Sequence, residues 1–447
     1  MNEGNPVVVV GAGPVGLAAA AELRERGVAT VVLEKAGSAG ASVREWGHVR
    51  LFSPWRDLVA PSAARLLAAS GWRCPDEDTH PTGAEWRREY LEPLAAALGG
   101  TVRFDAEVTG VSRLGRDRVV DADRGERPFT VRVRLPGGDE ERIVARAVVD
   151  ASGTWHSPNP AGADGLPALG EEAAREHITY RIPDLADPAT RGRHAGRANA
   201  VVGRGHSALT TLLALDELAR RVPETRVVWV LRRDGIGDAF GGGEADQLAA
   251  RGALGTRARA AVEAGRIAVV TGFATARIRT EEGRMRLVDE GGRELDPVDE
   301  AVVLTGYRPE LSWLSEVRLE LDASLQAPSA LAPLIDPNVH SCGTVYPHGA
   351  AELAHPEPDL YLAGMKSYGR APTFLALTGY EQVRSIAARL AGDHASARRV
   401  ELTLPETGVC AGPGTAEEPQ SAEAAGDCCG GAAEQLEPAA PSSAGSG

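Results

Sequence analysis

Two glycine-rich turns carry most of the chemistry this sequence can do. The first, Gly11-Ala-Gly13-Pro14-Val-Gly16, directly follows the all-valine run Val7–Val10 and opens a helical stretch with proline in its first turn. In such a turn the first glycine permits the tight bend, and the second lets a pyrophosphate approach the backbone. The third lets helix and strand pack closely, and the free N–H groups at the helix start bind the anion. Glu34 ends the next strand, eighteen residues after Gly16, where a carboxylate accepts from ribose hydroxyls. Lys35 follows it and joins the same candidate cofactor site. The second turn, Gly203-Arg-Gly205-His-Ser207-Ala208, is placed the same way, with alanine at the third small position. The strand after it ends in Arg232-Arg233 and not in an acid. A carboxylate there repels the 2′-phosphate of NADP, whereas a guanidinium binds it bidentately. The pair therefore favours NADPH over NADH; the alternative for both arginines is a solvated strand end.

Two dinucleotide sites in one chain imply a hydride donor and a tightly held redox carrier, most economically FAD. The elements that position them alternate between strand and helix. Val7–Val10 is a buried strand, Pro14–Arg26 a helix closed by Gly27, and Val28–Glu34 the next strand. Val102–Val111, Arg118–Asp123, Phe129–Leu135 and Ile143–Asp150 read as a β-rich insert with Gly- and Pro-marked turns. A second strand–turn–helix–strand unit runs from Ala198 to Arg232. Ala301–Leu304, Leu360–Ala363 and a last helix follow, with Tyr380, Val383, Ile386, Ala387 and Leu390 on one apolar face. The expected fold class is α/β, with two dinucleotide-binding domains, the first of them discontinuous and carrying the β-rich insert. The boundaries expected are 1–165 and 301–404 for the FAD part, 166–300 for the NADPH part, and a disordered acidic tail over 405–447.

Composition narrows the function classes. A chain of 447 residues suggests two or three domains, and 43% apolar with 25% charged residues is ordinary for a globular protein. No stretch approaches the roughly 18 uninterrupted apolar residues of a membrane helix. The N-terminus lacks the basic segment of a signal peptide, so a cytoplasmic protein without a membrane partner is expected. A net charge of −14 argues against a nucleic-acid partner. Lysine occurs only at positions 35 and 366, so 46 of the 48 cations are arginine. Five cysteines (Cys74, Cys342, Cys410, Cys428, Cys429) are too few for a disulfide scaffold and show no zinc spacing, so no metal site is expected. Residues 405–447 hold three of them, with seven carboxylates, no lysine or arginine and no aromatic residue. Such a segment cannot bury enough apolar surface to offset its chain entropy.

Beyond these turns the chain resembles the flavoproteins with two dinucleotide-binding domains, particularly the flavin-containing and Baeyer–Villiger-type monooxygenases. Asp150-Ala-Ser-Gly153-Thr-Trp-His-Ser-Pro158 looks like their first strand-to-linker segment. Leu304-Thr-Gly306-Tyr-Arg-Pro309 looks like the second, and Leu360-Tyr-Leu-Ala-Gly364-Met365 like their last FAD-binding strand. The resemblance implies that Gly153, Gly306, Gly364 and Met365 line the cofactors. It also places Trp46-Gly-His48-Val-Arg50-Leu-Phe-Ser53-Pro-Trp55 against the flavin. Two features depart from the pattern. The monooxygenase fingerprint FxGxxxHxxx(W/Y/F) has only a loose counterpart from Leu169-Gly170 through His177 and Tyr180. The asparagine that flavin-containing monooxygenases place beside the flavin is absent, leaving His48 and Arg50 as candidate catalytic donors; the alternative is that both support local packing or the flavin phosphates. The stretch Lys366-Ser-Tyr-Gly369-Arg370-Ala-Pro-Thr-Phe374, with His340-Ser-Cys342-Gly343 and the cysteine-bearing tail, is also similar to flavoproteins of bacterial arsenic-resistance gene clusters.

The resemblance implies an FAD- and NADPH-dependent oxidoreductase, a monooxygenase in which the reduced flavin activates O2 against a small, soft substrate. Thioredoxin-reductase-like enzymes share the two-nucleotide plan but need a CxxC or CxxxxC pair beside the flavin, and residues 1–404 hold only Cys74 and Cys342. A second expectation is therefore a flavin reductase of a disulfide or thiol-bound metalloid acting through Cys428 and Cys429, with Cys410 or Cys342 as a third thiol. The same thiols read equally well as idle cysteines in a low-complexity segment. A third expectation is a non-catalytic metalloid-binding or flavin-sensing protein.

Overall fold

The computed structural model describes residues 4–402 except 242, 244, 245, 247, 341–347 and 373. The expected disordered tail, and with it Cys410, Cys428 and Cys429, lies outside the described residues, as does Cys342. Strand β1 (Val7–Val10) pairs in parallel with β2 (Thr30–Leu33), Val7 opposite Thr30, and β2 in turn pairs with β3 (Val102–Arg103). The chain then leaves this sheet at Asp105, whose φ of 52° turns the backbone. It builds a three-stranded antiparallel sheet from β4 (Glu107–Arg113), β5 (Phe129–Arg134) and β6 (Glu140–Ala145). It returns as β7 (Ala147–Asp150), which pairs with the other edge of β1.

Two of the expected insert strands are thus each split between two sheets. A third, expected at Arg118–Asp123, is not a strand. Its backbone closes local turns instead, Val120 N–H to Asp117 at 3.1 Å and Arg124 N–H to Asp121 at 3.2 Å. Asp117 Oδ1 accepts from Val119 N–H at 3.0 Å, and Asp123 has a φ of 49°. Closely spaced aspartates offer the backbone side-chain partners that compete with a ladder.

The second parallel sheet takes β8 (Ile178–Thr179), β9 (Ala198–Val202), β10 (Arg226–Val230) and β11 (Ala268–Val270). A hairpin of β12 (Thr275–Glu281) and β13 (Arg284–Asp289) precedes its last strand, β14 (Glu300–Val303). Its order is β11–β10–β9–β14–β8. Finally β15 (Leu360–Leu362) joins the first sheet beside β7, giving the order β15–β7–β1–β2–β3.

Both sheets are covered on both faces, which is why the central strands do not alternate: β1 is all valine, and β9 departs from an apolar run only at the buried Asn199, whose amide donates to the His194 and Arg197 carbonyls. In β1, Val7 and Val9 share a core with the helices Pro14–Glu25 and Ala376–Leu390, while Val8 and Val10 pack against Phe129, Val131 and Val133 of the antiparallel insert. The second sheet repeats the plan. Val201, Trp229 and Val302 face the helix His206–Arg221, and Ala200, Val202 and Val303 face Ile278, Met285 and Leu287 of the hairpin. The insert is pinned by a buried charge cluster. Glu357 accepts from Arg113 at 2.7 Å and from Arg124 at 2.6 Å, and it ties β4 and the 117–127 turn to the strand that becomes β15.

Candidate functional site

The C-terminal ends of β1, β7 and β15 meet at the first glycine turn. Gly11 has a φ of +100°, and a Cβ there would lie 2.8 Å from the Ala151 carbonyl, so the turn and the neighbouring segment approach too closely for a side chain. A Cβ on Gly16 would lie 1.9 Å from the Gly11 carbonyl, which makes the helix sit tight on the strand end. Gly13 differs, because its Cβ would meet nothing within 4 Å. It caps the helix Pro14–Glu25 without a side-chain hydrogen bond, and Pro14 occupies the first turn. The helix start therefore presents N–H groups to open space.

Glu34 is buried and ties this turn together. Its Oε2 accepts from Ala12 N–H at 2.8 Å and its Oε1 from Ala36 N–H at 2.9 Å. Each oxygen keeps a second lone pair for a ribose hydroxyl. Lys35 is exposed beside it. Gly153 and Gly364 follow β7 and β15 on the same rim, and Met365 is half-buried next to Gly364. The stretch after β2 carries two buried polar atoms without a partner, Ser38 Oγ and His48 Nε2.

The second turn repeats this geometry. Gly203 has a φ of +131° and a Cβ there would lie 2.3 Å from the Leu304 carbonyl, while Gly205 faces nothing within 4 Å and caps His206–Arg221 without a side-chain bond. Ser207 is exposed in the first turn of that helix, and Ala208 is buried at the third small position. Arg232 leaves the end of β10 exposed and donates to the Ala163 carbonyl at 2.7 Å; Arg233 beside it is half-buried.

The remaining sequence candidates are distributed as follows. Trp46 is half-buried against Trp86, ring centroids 6.3 Å apart, and a Cβ on Gly83 would lie 2.7 Å from its ring. Arg50 is exposed, bonds the His80 carbonyl and lies 3.9 Å from Glu85, so its guanidinium braces the 79–85 loop. Gly306 lies in a return segment that runs antiparallel to the first linker, with Asn159 N–H on the Gly306 carbonyl and Arg308 N–H on that of Ser157, both at 2.9 Å.

Sequence reasoning missed the aromatic and charged groups that join these linkers. Trp155 stacks on Tyr307 at 5.3 Å, Arg181 lies 5.0 Å from the Trp155 ring, and Glu45 accepts from both Trp155 and Arg181. Phe52 meets His206 edge-on at 5.4 Å, linking the loop after β2 to the second turn. Nothing in residue spacing signals such contacts, because all but the Arg181–Trp155 one join residues more than 100 apart.

Burial holds the His206 imidazole far below its usual range, at about 4; Arg251 pushes the same way and Asp246 opposes. Below pH 6.5 the unfolded chain then binds a proton that the folded chain refuses, so His206 costs stability as the pH falls from 7 toward 4. The expected loss is about 1–2 kcal/mol between pH 7 and pH 5. His206→Asn should flatten the dependence of the melting temperature on pH in that window, and an unchanged slope contradicts the assignment.

A family model described as pyridine nucleotide-disulphide oxidoreductase matches residues 8–330. Indole-3-pyruvate monooxygenase YUCCA1 of Oryza sativa subsp. japonica is 33% identical over 211 residues, 46% of this chain and 44% of that protein. A flavin-containing monooxygenase, FMO GS-OX-like 5 of Arabidopsis thaliana, is 29% identical over 204 residues, 40% of this chain and 43% of that one. The chain thus spans less than half the length of the curated relatives it matches. Among solved structures, the bacillithiol disulfide reductase Bdr (YpdA) from Bacillus cereus superposes with a TM-score of 0.64 at 19% identity, covering 87% of this chain and 99% of that one. That likeness speaks for the shared two-sheet fold. No helix among the described residues is long and apolar enough to cross a membrane.

Proposed function

Because the chain belongs to the pyridine nucleotide-disulphide oxidoreductase family, we propose that it is an FAD-dependent, NADPH-oxidising oxidoreductase, and that it works as a monooxygenase on a small, soft substrate. The observation that carries this reading is the repetition of one cradle. Two sheet ends each offer a helix N-terminus without a side-chain cap, behind a glycine whose Cβ direction is empty. Each suits a pyrophosphate. The first cradle fits FAD: Glu34 stands at the ribose position, and Ser38 Oγ and His48 Nε2 are buried polar atoms left for a ligand to satisfy. We assign residues 1–165 and 301–404 to that part and 166–300 to the NADPH part; β14 (Glu300–Val303), which pairs with β9 in the second sheet, lies across the boundary at 300/301.

When bound, FAD would supply hydride acceptance from the nicotinamide and electron transfer to O2. The protein's share is placement. Helix N–H groups at Gly13 and Gly205 hold the two pyrophosphates, Glu34 and Lys35 flank the FAD adenosine, and Trp46, Gly153, Gly306, Gly364 and Met365 line the crevices. His48 is the better of the two candidate catalytic donors, since Arg50 is occupied by the 79–85 loop. The monooxygenase part of the reading is supported by the curated relatives. Cytoplasmic placement is part of the same proposal.

Arg232 and Arg233 would select NADPH, with Arg204 of the second glycine turn as the next candidate. Losing the charge-assisted contact of Arg232 and Arg233 should cost about 1.5–3 kcal/mol, so the double alanine variant should lose roughly 10- to 100-fold of its preference for NADPH over NADH. An unchanged ratio assigns the selection elsewhere.

The second reading, a reductase of disulfides, draws on the fold likeness to a bacillithiol disulfide reductase; among the described residues the one free thiol is Cys74, and burial raises it above its ordinary value. Turnover with candidate substrates in air and under nitrogen separates the two. A monooxygenase consumes NADPH in step with substrate only in air and places an oxygen atom from labelled O2 in the product. Substrate-dependent NADPH consumption under nitrogen would replace the first reading by the second.

A further inference from the structure

In a chain that places arginine at 46 of 48 cationic positions, a buried lysine stands out chemically. Lys366 follows β15 and Met365, with its side chain 1% exposed against an Asp150 side chain that is 0% exposed. Its Nζ lies 2.7 Å from Asp150 Oδ2 and 4.8 Å from the centre of the Trp313 ring. That ion-pair approach lacks hydrogen-bond alignment, since Oδ2 has no hydrogen-bond partner. The aligned bond of the ammonium goes to Ser152 Oγ at 3.0 Å. Asp150 Oδ1 in turn accepts from the Ser152 hydroxyl at 2.6 Å and from its N–H at 3.0 Å. Ser152 is the exposed member of the cluster, on the rim between Gly153 and the first glycine turn.

A buried ion pair is weak evidence for stability, because an apolar pair of the same shape often serves as well. What this one adds is placement. The hydroxyl of Ser152 is held from both sides, as donor to the carboxylate and acceptor from the ammonium, so its rotor is fixed. A compact ammonium with three donors fits such an enclosed point; the planar fork of arginine does not.

We propose that Lys366 is a positioning residue that, together with Asp150, fixes the Ser152 hydroxyl and the turn to Gly153 against the bound FAD. This rests on the FAD reading of the first cradle. Lys366→Met alone strands a buried carboxylate and endangers the fold, so the test uses the charge-neutral pair D150N/K366M, the single variant Ser152→Ala, and the three changes together. FAD affinity is read by fluorescence of released flavin, placement by the visible spectrum of the bound flavin, and folding by thermal melting without flavin. Ser152→Ala and D150N/K366M should each weaken FAD binding roughly tenfold, the worth of one hydrogen bond. Each should perturb the bound flavin's spectrum in the same way, and the triple variant should lose no more than either. Wild-type affinity and spectrum in D150N/K366M overturn the inference, as does a triple variant whose losses multiply. A wild-type chain that takes up no FAD overturns the FAD reading and this inference together.

Discussion

Gly13→Val is expected to give a folded protein that purifies without flavin. A side chain at this position meets nothing within 4 Å, so the empty fold accommodates it. It then fills the space in front of the helix Pro14–Glu25, the place proposed for the pyrophosphate. Losing two charge-assisted N–H contacts at about 1.5–3 kcal/mol each predicts a loss of FAD affinity of roughly 100-fold or more. Gly16→Val is the contrasting control. Its Cβ would lie 1.9 Å from the Gly11 carbonyl, so that variant should lose the fold along with the flavin. The check is visible absorbance per protein, read beside the melting curve. A yellow Gly13→Val protein with near-stoichiometric flavin contradicts the site.

A large effect on stability is expected away from the cofactor turns, from Glu357→Ala. The side chains of Glu357, Arg113 and Arg124 are at most 4% exposed, and the substitution strands both guanidiniums. Breaking a buried pair by removing one partner costs about 3–5 kcal/mol. Burial alone would push the Glu357 carboxyl up, but hydrogen bonds from Arg113, Arg124 and the Arg318 N–H outweigh it and hold the group below the usual carboxylate range. A carboxylate depressed in the folded state contributes its stability above the unfolded value of about 4.3 and loses it as the pH falls through the folded value. Denaturant melts of wild type should therefore weaken below pH 4 more steeply than those of Glu357→Ala. A variant as stable as wild type at neutral pH would remove the cluster from the account.

The two glycine turns were legible in the sequence because each is local. Gly11 to Gly16 and Gly203 to Ala208 place strand, turn and helix within a few residues, and for Gly11, Gly16 and Gly203 the structure supplies the reason in a nearby carbonyl. The insert was legible as β-rich but not in its pairing. Val102–Val111 and Ile143–Asp150 each read as one run, although the first crosses between sheets over residues 104–106 and the second at Arg146, where the sequence carries no strong signal. Arg118–Asp123 was misread because two valines outweighed the aspartates that close its turns. Long-range contacts were invisible. Lys366 was conspicuous as a rare lysine and as the start of a family-like stretch, but its partners Asp150 and Ser152 lie more than 200 residues away. Arg50 illustrates the converse, a residue type suited to catalysis that the fold spends on a loop.

The central claim is that one chain holds FAD and NADPH so that hydride passes between them. Purified protein mixed with NADPH under nitrogen tests it most directly. The account predicts a yellow protein with about one FAD per chain, whose visible band bleaches rapidly with NADPH, more slowly with NADH, and returns when air is admitted. A colourless protein, or a yellow one that NADPH leaves oxidised, would contradict it.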